Sequence, residues 1–227
     1  MKTPTTLNEF TCVVTGASGA TGRVITEFLL SKGAIVVGTR RESTVKLAQE
    51  QDRFYTVQVN LADRGATEEA VAQILSTVGQ VHAWINVAGG FKMGIPVETL
   101  SHNHIHEMMQ INFFPALHGC GAIVRHMKAK GFGRLINFGS AAVETGIANA
   151  LPYVMSKAAV HELSLTLAQE LEPDVTCNLI IPGIIDTPAN RQAMPAADTA
   201  TWTAPETIAR IIGDVLLSQK NGEKIFV

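Results

Sequence analysis

This chain has no marked excess of positive or of negative charge. Its 18 Lys and Arg stand against 20 Asp and Glu over 227 residues, a formal net charge of −2. That balance leaves no electrostatic footprint for nucleic acid or for an anionic membrane. Cysteine is scarce as well. Cys12, Cys120 and Cys177 are odd in number, far apart and set in apolar stretches. They exclude a disulfide framework or a metal knuckle and read as buried thiols in a reducing compartment. No apolar run approaches the length of a bilayer span. The opening MKTPTTLNEF holds one lysine and no apolar core of a secretory leader, so the expected location is cytoplasmic. No Pro/Ser-rich linker and no internal repeat interrupts the chain, which reads as one domain over 1–227.

What is present is an alternation. With 46% hydrophobic and 17% charged residues, the composition is that of a folded globular protein. Short β-branched runs, FTCVV, AIVVGT, FYTVQV, VHAWINV, RLINF, VTCNLII and a final KIFV, are separated by helical patterns. The helices are expected at roughly 20–32, 43–51, 66–78, 101–129, 152–171 and 205–219. Nearly continuous apolar strands between helices predict an α/β fold: a Rossmann-type, doubly wound parallel sheet of about seven strands with helices on both faces. In such a sheet the ligand crevice lies at the carboxyl ends of the strands. One long stretch, DTPANRQAMPAADTATWTAP, has little periodicity and reads as a lid over roughly 186–204.

The first strand runs into TGASGATG. Gly16 suits a sharp turn, Gly19 a close approach of backbone to pyrophosphate, and Gly22 tight packing of helix on strand. The helix N-terminus would offer free N–H groups and a positive dipole end to the phosphates. A strand-to-helix turn without a ligand would look the same. The second strand ends in Arg40 and Arg41, where an NAD site carries an acid for the ribose 2′-OH. Guanidinium groups there favour a 2′-phosphate, hence NADP(H), if the dinucleotide site exists; otherwise they form a solvated basic turn.

Tyr153 and Lys157 lie four apart at the start of a helix opened by Pro152, on one face. A neighbouring ammonium lowers a phenol's pKa and turns tyrosine into a usable proton donor and acceptor. The pair alone also arises by chance. Thirteen residues earlier, Ser140 follows a strand at the ligand edge, where its hydroxyl suits a substrate carbonyl. Asn112 sits in an apolar helical stretch and needs a partner. Asn86, Ala88, Gly89 and Gly90 close the fourth strand with residues small enough for a cofactor to lie against.

TGASGATG, NVAG, Asn112, Ser140, YVMSK and PGIIDTP stand in one order along almost the whole chain, and together they resemble the short-chain dehydrogenase/reductase family. The resemblance implies a catalytic tetrad. Tyr153 would be the general acid/base and Ser140 would orient the substrate oxygen. Lys157 would lower the Tyr153 pKa and bind the nicotinamide ribose, and Asn112 would hold a relay water. It further implies cofactor contacts at Gly16, Ser18, Gly19, Ala20, Gly22, Arg40, Arg41, Asn60, Leu61, Asn86, Ala88, Gly89, Tyr153, Lys157, Pro182, Gly183, Ile185 and Thr187. The activity implied is NADP(H)-dependent hydride transfer between nicotinamide and a small carbonyl/alcohol substrate, in a homodimer or homotetramer packed through helices 101–129 and 152–171.

Three features depart from the compact members' pattern. Ala20 replaces the middle glycine of TGxxxGxG, with Gly19 before it; Asn60 stands where an Asp usually contacts adenine; and the usual C-terminal extension is not seen after KIFV. The lid resembles that of the dihydropteridine reductase branch, which makes a pterin reductase the alternative activity. Asn190, Arg191, Met194 and Trp202 are the expected lid contacts. A non-catalytic NADP(H)-binding regulator is the alternative of another class, opposed by the complete tetrad. His102, His104 and His106 share a short stretch without supporting carboxylates or thiols and are read as a helix start capped by Ser101, with no metal.

Overall fold

The computed structural model describes residues 4–42 and 45–227. Parallel strands β1 (Thr11–Val14), β2 (Ile35–Arg40), β4 (Phe54–Gln58), β5 (Ala83–Asn86), β6 (Gly133–Phe138), β7 (Val175–Ile181) and β8 (Lys224–Phe226) form one sheet with a further strand, β3 (Lys46–Gln51). The order is β3-β4-β2-β1-β5-β6-β7-β8, and only β3 runs antiparallel, against β4. Eight strands replace the expected seven.

The pleat explains the near-continuous apolar runs. Cys12, Val14, Ala83, Ile85, Ile136 and Ile180 face one core, shared with α1 (Ala20–Ser31) and α8 (Pro205–Leu217). Val13, Val37, Trp84, Leu135 and Cys177 face the other, under α2 (Arg64–Val78) and the long helices that follow. Adjacent residues of β1, β5, β6 and β7 are therefore both buried, so apolar side chains occupy both parities. Each fully buried Leu, Ile or Val contributes about 1.5–3 kcal/mol. No helix is long and apolar enough to cross a membrane among the described residues.

Two helical expectations fail instructively. The pattern over 43–51 reads as helix, yet Lys46–Gln51 is the edge strand β3; Ser43 and Thr44 lie outside the described residues. KLAQEQ has ordinary helix formers, but the open edge of β4 offers ladder hydrogen bonds that an isolated turn of helix cannot match. The strand is short, polar and irregular between Gln49 and Gln51, as edge strands tend to be. The expected helix 101–129 is also broken. It consists of α3 (His102–Met108), a wide π-helical turn over Met109–Phe113, and α4 (Phe114–Lys130), with Pro115 in the first turn of α4. Proline has no N–H to give back to the preceding turn, and the widened turn carries Asn112 inward. The remaining helical segments are α5 (Ala142–Thr145), α6 (Leu151–Leu171), α7 (Pro188–Ala193) and single turns at Leu7–Glu9, Val97–Thr99 and Thr199–Thr201.

Candidate active site

A cleft of about 930 Å³ opens along the carboxyl ends of the parallel strands. One end is built from backbone. Gly16 has φ +65°, and a Cβ on Gly22 would lie 2.2 Å from the Gly16 carbonyl oxygen. Helix α1 thus starts against the turn, with Gly19 as its N-cap and no acidic residue in its first turn. Two threonines tie the turn to its neighbours: Thr39 Oγ1 accepts from the Gly16 N–H at 3.2 Å, and Thr15 Oγ1 accepts from the Ala88 N–H at 3.0 Å. Neither threonine is among the expected site residues, although Thr15 follows β1 and Thr39 is the last residue but one of β2, both at the ligand edge. Free N–H groups at a helix start, with room for close approach, suit an anion.

The other end gathers Ser140, Tyr153 and Lys157 on the cleft wall. Pro152 opens the long helix α6, so Tyr153 and Lys157 rise on one side of it toward the end of β6. Burial pushes the Tyr153 phenol up, and a hydrogen bond with the Ser140 hydroxyl opposes the shift. Burial brings Lys157 down to about 8, and its Nζ donates to the Phe138 carbonyl at 2.9 Å. Lys157 is not among the causes of the Tyr153 shift. A buried ammonium needs an acceptor, and the last carbonyl of β6 is within reach.

Asn112 stands immediately behind the wall. Its Oδ1 accepts from the Gly90 N–H at 2.9 Å, while its Nδ2 donates to the Gly90 carbonyl at 3.1 Å and to Ser156 Oγ at 2.9 Å. A Cβ on Gly89 would sit 2.7 Å from that Oδ1 and 3.5 Å from Lys157 Nζ. The small residues after β5 are thus required by a crowded asparagine as well as by any ligand. Ser140 has a second support that sequence reasoning missed. Its N–H donates to His161 Nε2 at 3.2 Å, and the buried imidazole lies where a Cβ on Gly139 would be, 2.4 Å away. His161 follows Lys157 by one helical turn, which was the available signal.

The short chain dehydrogenase model matches residues 11–198. The chain belongs to the short-chain dehydrogenase family. It is 32% identical over 179 residues to the 3-oxoacyl-[acyl-carrier-protein] reductase FabG of Haemophilus influenzae, covering 77% of this chain and 74% of that one. It is 30% identical over 226 residues to the uncharacterized oxidoreductase YxnA of Bacillus subtilis, covering 91% of this chain and 62% of the relative. The fold also matches a gluconate 5-dehydrogenase from Burkholderia cenocepacia solved with NADP and tartrate, with a TM-score of 0.84, 19% identity, and 96% and 93% of the two chains covered. These likenesses make it an oxidoreductase of the nicotinamide-dependent kind.

Among the cofactor residues expected of a short-chain dehydrogenase, Gly16, Ser18, Gly19, Ala20, Gly22, Arg41, Asn60, Leu61, Ala88 and Gly89 line the cleft, as do Pro182, Gly183, Ile185 and Thr187. Two do not. Arg40 ends β2 with an exposed side chain outside the lining. Asn86 is buried beneath it: its Oδ1 accepts from Trp84 Nε1 at 2.9 Å and its Nδ2 donates to Asn137 Oδ1 at 2.8 Å. Residues 84 and 86 share a face of the pleat, so Asn86 points with Trp84 into the helix-covered core. Asn60 Oδ1 accepts from the Ala62 N–H at 3.3 Å.

The lid is pinned rather than loose. Ile185 pairs with Thr203, and the Asp186 N–H donates to the Thr203 carbonyl at 2.9 Å. Thr187 caps α7 by accepting from the Asn190 N–H, and Asn190 Nδ2 donates to the Ile185 carbonyl at 2.8 Å. Asn190 and Met194 line the cleft. Trp202 does not, and Arg191 faces away, held by both Asp186 oxygens at 2.6 and 2.7 Å.

Proposed function

We propose that this protein is an NADP(H)-dependent oxidoreductase that interconverts a carbonyl compound and its alcohol, with Tyr153 as general acid/base. The observation that carries the reading is the meeting of Ser140, Tyr153 and Lys157 on the wall of a cleft whose other end is a glycine-cradled helix start. The cradle fits a pyrophosphate: a side chain on Gly22 would close it, and the α1 start holds no carboxylate to repel an anion.

Gly16, Ser18, Gly19 and Ala20 would hold the pyrophosphate, and Arg41 the 2′-phosphate. Pro182, Gly183, Ile185 and Thr187 would flank the nicotinamide. When bound, the nicotinamide gives or takes the hydride. Ser140 holds the substrate oxygen by its hydroxyl, and Tyr153 gives that oxygen a proton during reduction and recovers it during oxidation. Lys157, one turn along α6, favours the phenolate while it lasts and would bind the nicotinamide ribose. Asn112, fixed by Gly90 and Ser156, is assigned the relay water. Assembly as a homodimer or homotetramer through the outer sides of α4 and α6 belongs to the same proposal. The pterin-reductase alternative rests on the lid alone, and retention of Ser140 beside Tyr153 favours the carbonyl reading.

The test is Tyr153→Phe. Turnover should fall by about 10²–10⁴-fold, the range of a lost general acid/base, while NADPH affinity stays within about twofold. Turnover equal to the parent's would sink the mechanism. Tight NADPH binding without reduction of any carbonyl or quinonoid pterin would favour the regulator.

A further inference from the structure

The mouth of the cleft, beyond Tyr153, differs in character from the rest of the site. Phe91, Met93, Ile147 and Ile184 line it with 52%, 55%, 39% and 44% of their surfaces exposed. Single exposed apolar residues are ordinary, but four converging on one opening mark a binding surface. Phe91 meets Tyr153 edge-on, ring centroids 4.7 Å apart and planes at 84°, so an aromatic wall stands beside the hydroxyl.

Free charge is absent there. Among the described residues lining the cleft only Arg41 and Lys157 are charged. Arg41 follows β2 at the glycine-turn end, and Lys157 is buried with its Nζ on the Phe138 carbonyl. The charges around the rim are paired: Arg191 with Asp186, Lys92 with Glu107, and Lys224 with Glu144. Nearby polar side chains are engaged too. Asn190 donates to the Ile185 carbonyl, Thr145 Oγ1 to the Gly146 carbonyl at 3.3 Å, and Gln110 is bonded to His106 at 3.2 Å.

We infer that the substrate is an uncharged ketone or aldehyde carrying an aryl or alkyl arm, and that carboxylates, phosphate esters and polyols are refused. This rests on the carbonyl/alcohol reading above. The Ser140 and Tyr153 hydroxyls suffice for one carbonyl oxygen. A carboxylate entering the mouth would lose water without gaining a cation, and a polyol would leave hydroxyls unbonded. An apolar arm against Phe91, Met93, Ile147 and Ile184 gains by burial alone.

The experiment measures NADPH oxidation with 2-alkanones of about four to ten carbons, acetophenone, its para-carboxylate and an aldohexose. Expected is a kcat/KM rising about three- to fourfold per methylene until the arm outgrows the cleft. Acetophenone should exceed its carboxylate by at least about tenfold, with no measurable sugar oxidation in the reverse direction with NADP+. Phe91→Arg, at an exposed position, should shift the carboxylate-to-neutral ratio by at least about tenfold toward the carboxylate. A flat alkyl series, or preference of the parent protein for the acid or the sugar, would overturn the inference. If no carbonyl is reduced, the redox reading fails separately. Calorimetric titration of 1-phenylethanol and its para-carboxylate into protein with NADP+ then decides: preference for the neutral alcohol sustains the inference, and equal or no binding overturns it.

Discussion

The two ends of the cleft are made of different material. At the glycine turn much of the surface is backbone, and contacts at Gly16 and Gly22 leave no space for a side chain there. At the mouth it is side chain, with Phe91, Met93, Ile147 and Ile184 projecting into open space. A backbone site constrains residue type at each position and leaves a spacing in the sequence. A side-chain site constrains only size and polarity, on segments that tolerate change. The contrast explains why a cofactor class can be read from the chain while a substrate class needs the assembled opening.

The contrast breaks most sharply at Gly22. Its added Cβ would meet the Gly16 oxygen at 2.2 Å, the Gly16 carbonyl carbon at 2.9 Å and Ala17 Cα at 3.0 Å. All three are backbone, so no rotamer relieves the overlap. Gly22→Ala should destabilise the fold by about 1–3 kcal/mol and weaken NADPH binding by more than about 100-fold. Met93→Ala at the mouth should leave stability within about 0.5 kcal/mol. Thermal melts with calorimetric NADPH titrations check both, and similar losses at the two positions would erase the distinction.

A second probe lies behind the mouth. Burial lowers His161 to about 4, with Lys224 and Lys157 adding to the shift and Glu144 opposing it. Its Nε2 accepts from the Ser140 N–H, and its Nδ1 has no hydrogen-bond partner, with Glu144 Oε1 4.0 Å away. The unfolded imidazole takes up a proton near pH 6.5, and the folded one only near 4. Stability from this group is therefore complete above about pH 6.5 and is lost as the pH falls from there to about 4, by on the order of 2–3 kcal/mol. His161→Gln keeps an acceptor without a titration and should flatten that part of the stability profile. His161→Leu should also lower kcat, because the Ser140 N–H loses its anchor. Denaturant melts at pH 7, 5.5 and 4.5 give the slope, and an unchanged slope in the Gln variant would assign the acid sensitivity to other groups.

Much of this was legible in the chain, for reasons that differ by residue. The strands showed as apolar runs because both faces of the sheet are covered, and Tyr153 and Lys157 showed because four residues make one helical turn. Strand β3 was not legible, since KLAQEQ becomes extended only by pairing with β4, Gln51 opposite Phe54 and Lys46 opposite Gln58. The side chain of Asn86 lies away from the cleft, as the period of two counted from Trp84 already implies. The head of Lys157 depends on where the last β6 carbonyl falls, and the pairing of Arg191 with Asp186 on how the lid folds back. Spacing carries neither.

The smallest expected effect separates two adjacent arginines that the sequence treats as a pair. Arg40 is the last residue of β2; its carbonyl accepts from the Val59 N–H at 2.9 Å, and its exposed side chain lies outside the cleft lining. Arg41, one residue on, lines the cleft with Asn60. Consecutive residues leaving a strand point to opposite sides, so only one of the two can face the ribose. Arg41→Ala should weaken NADPH by about tenfold, at the low end for a charge-assisted hydrogen bond because the site is exposed and screened, and leave NADH within about twofold. Arg40→Ala should change both cofactors by less than about threefold, through the general field alone. Equal NADPH losses for the two variants would mean that the 2′-phosphate is held by a basic turn as a whole, and the glycine-turn end would then share with the mouth a dependence on side-chain character more than on position.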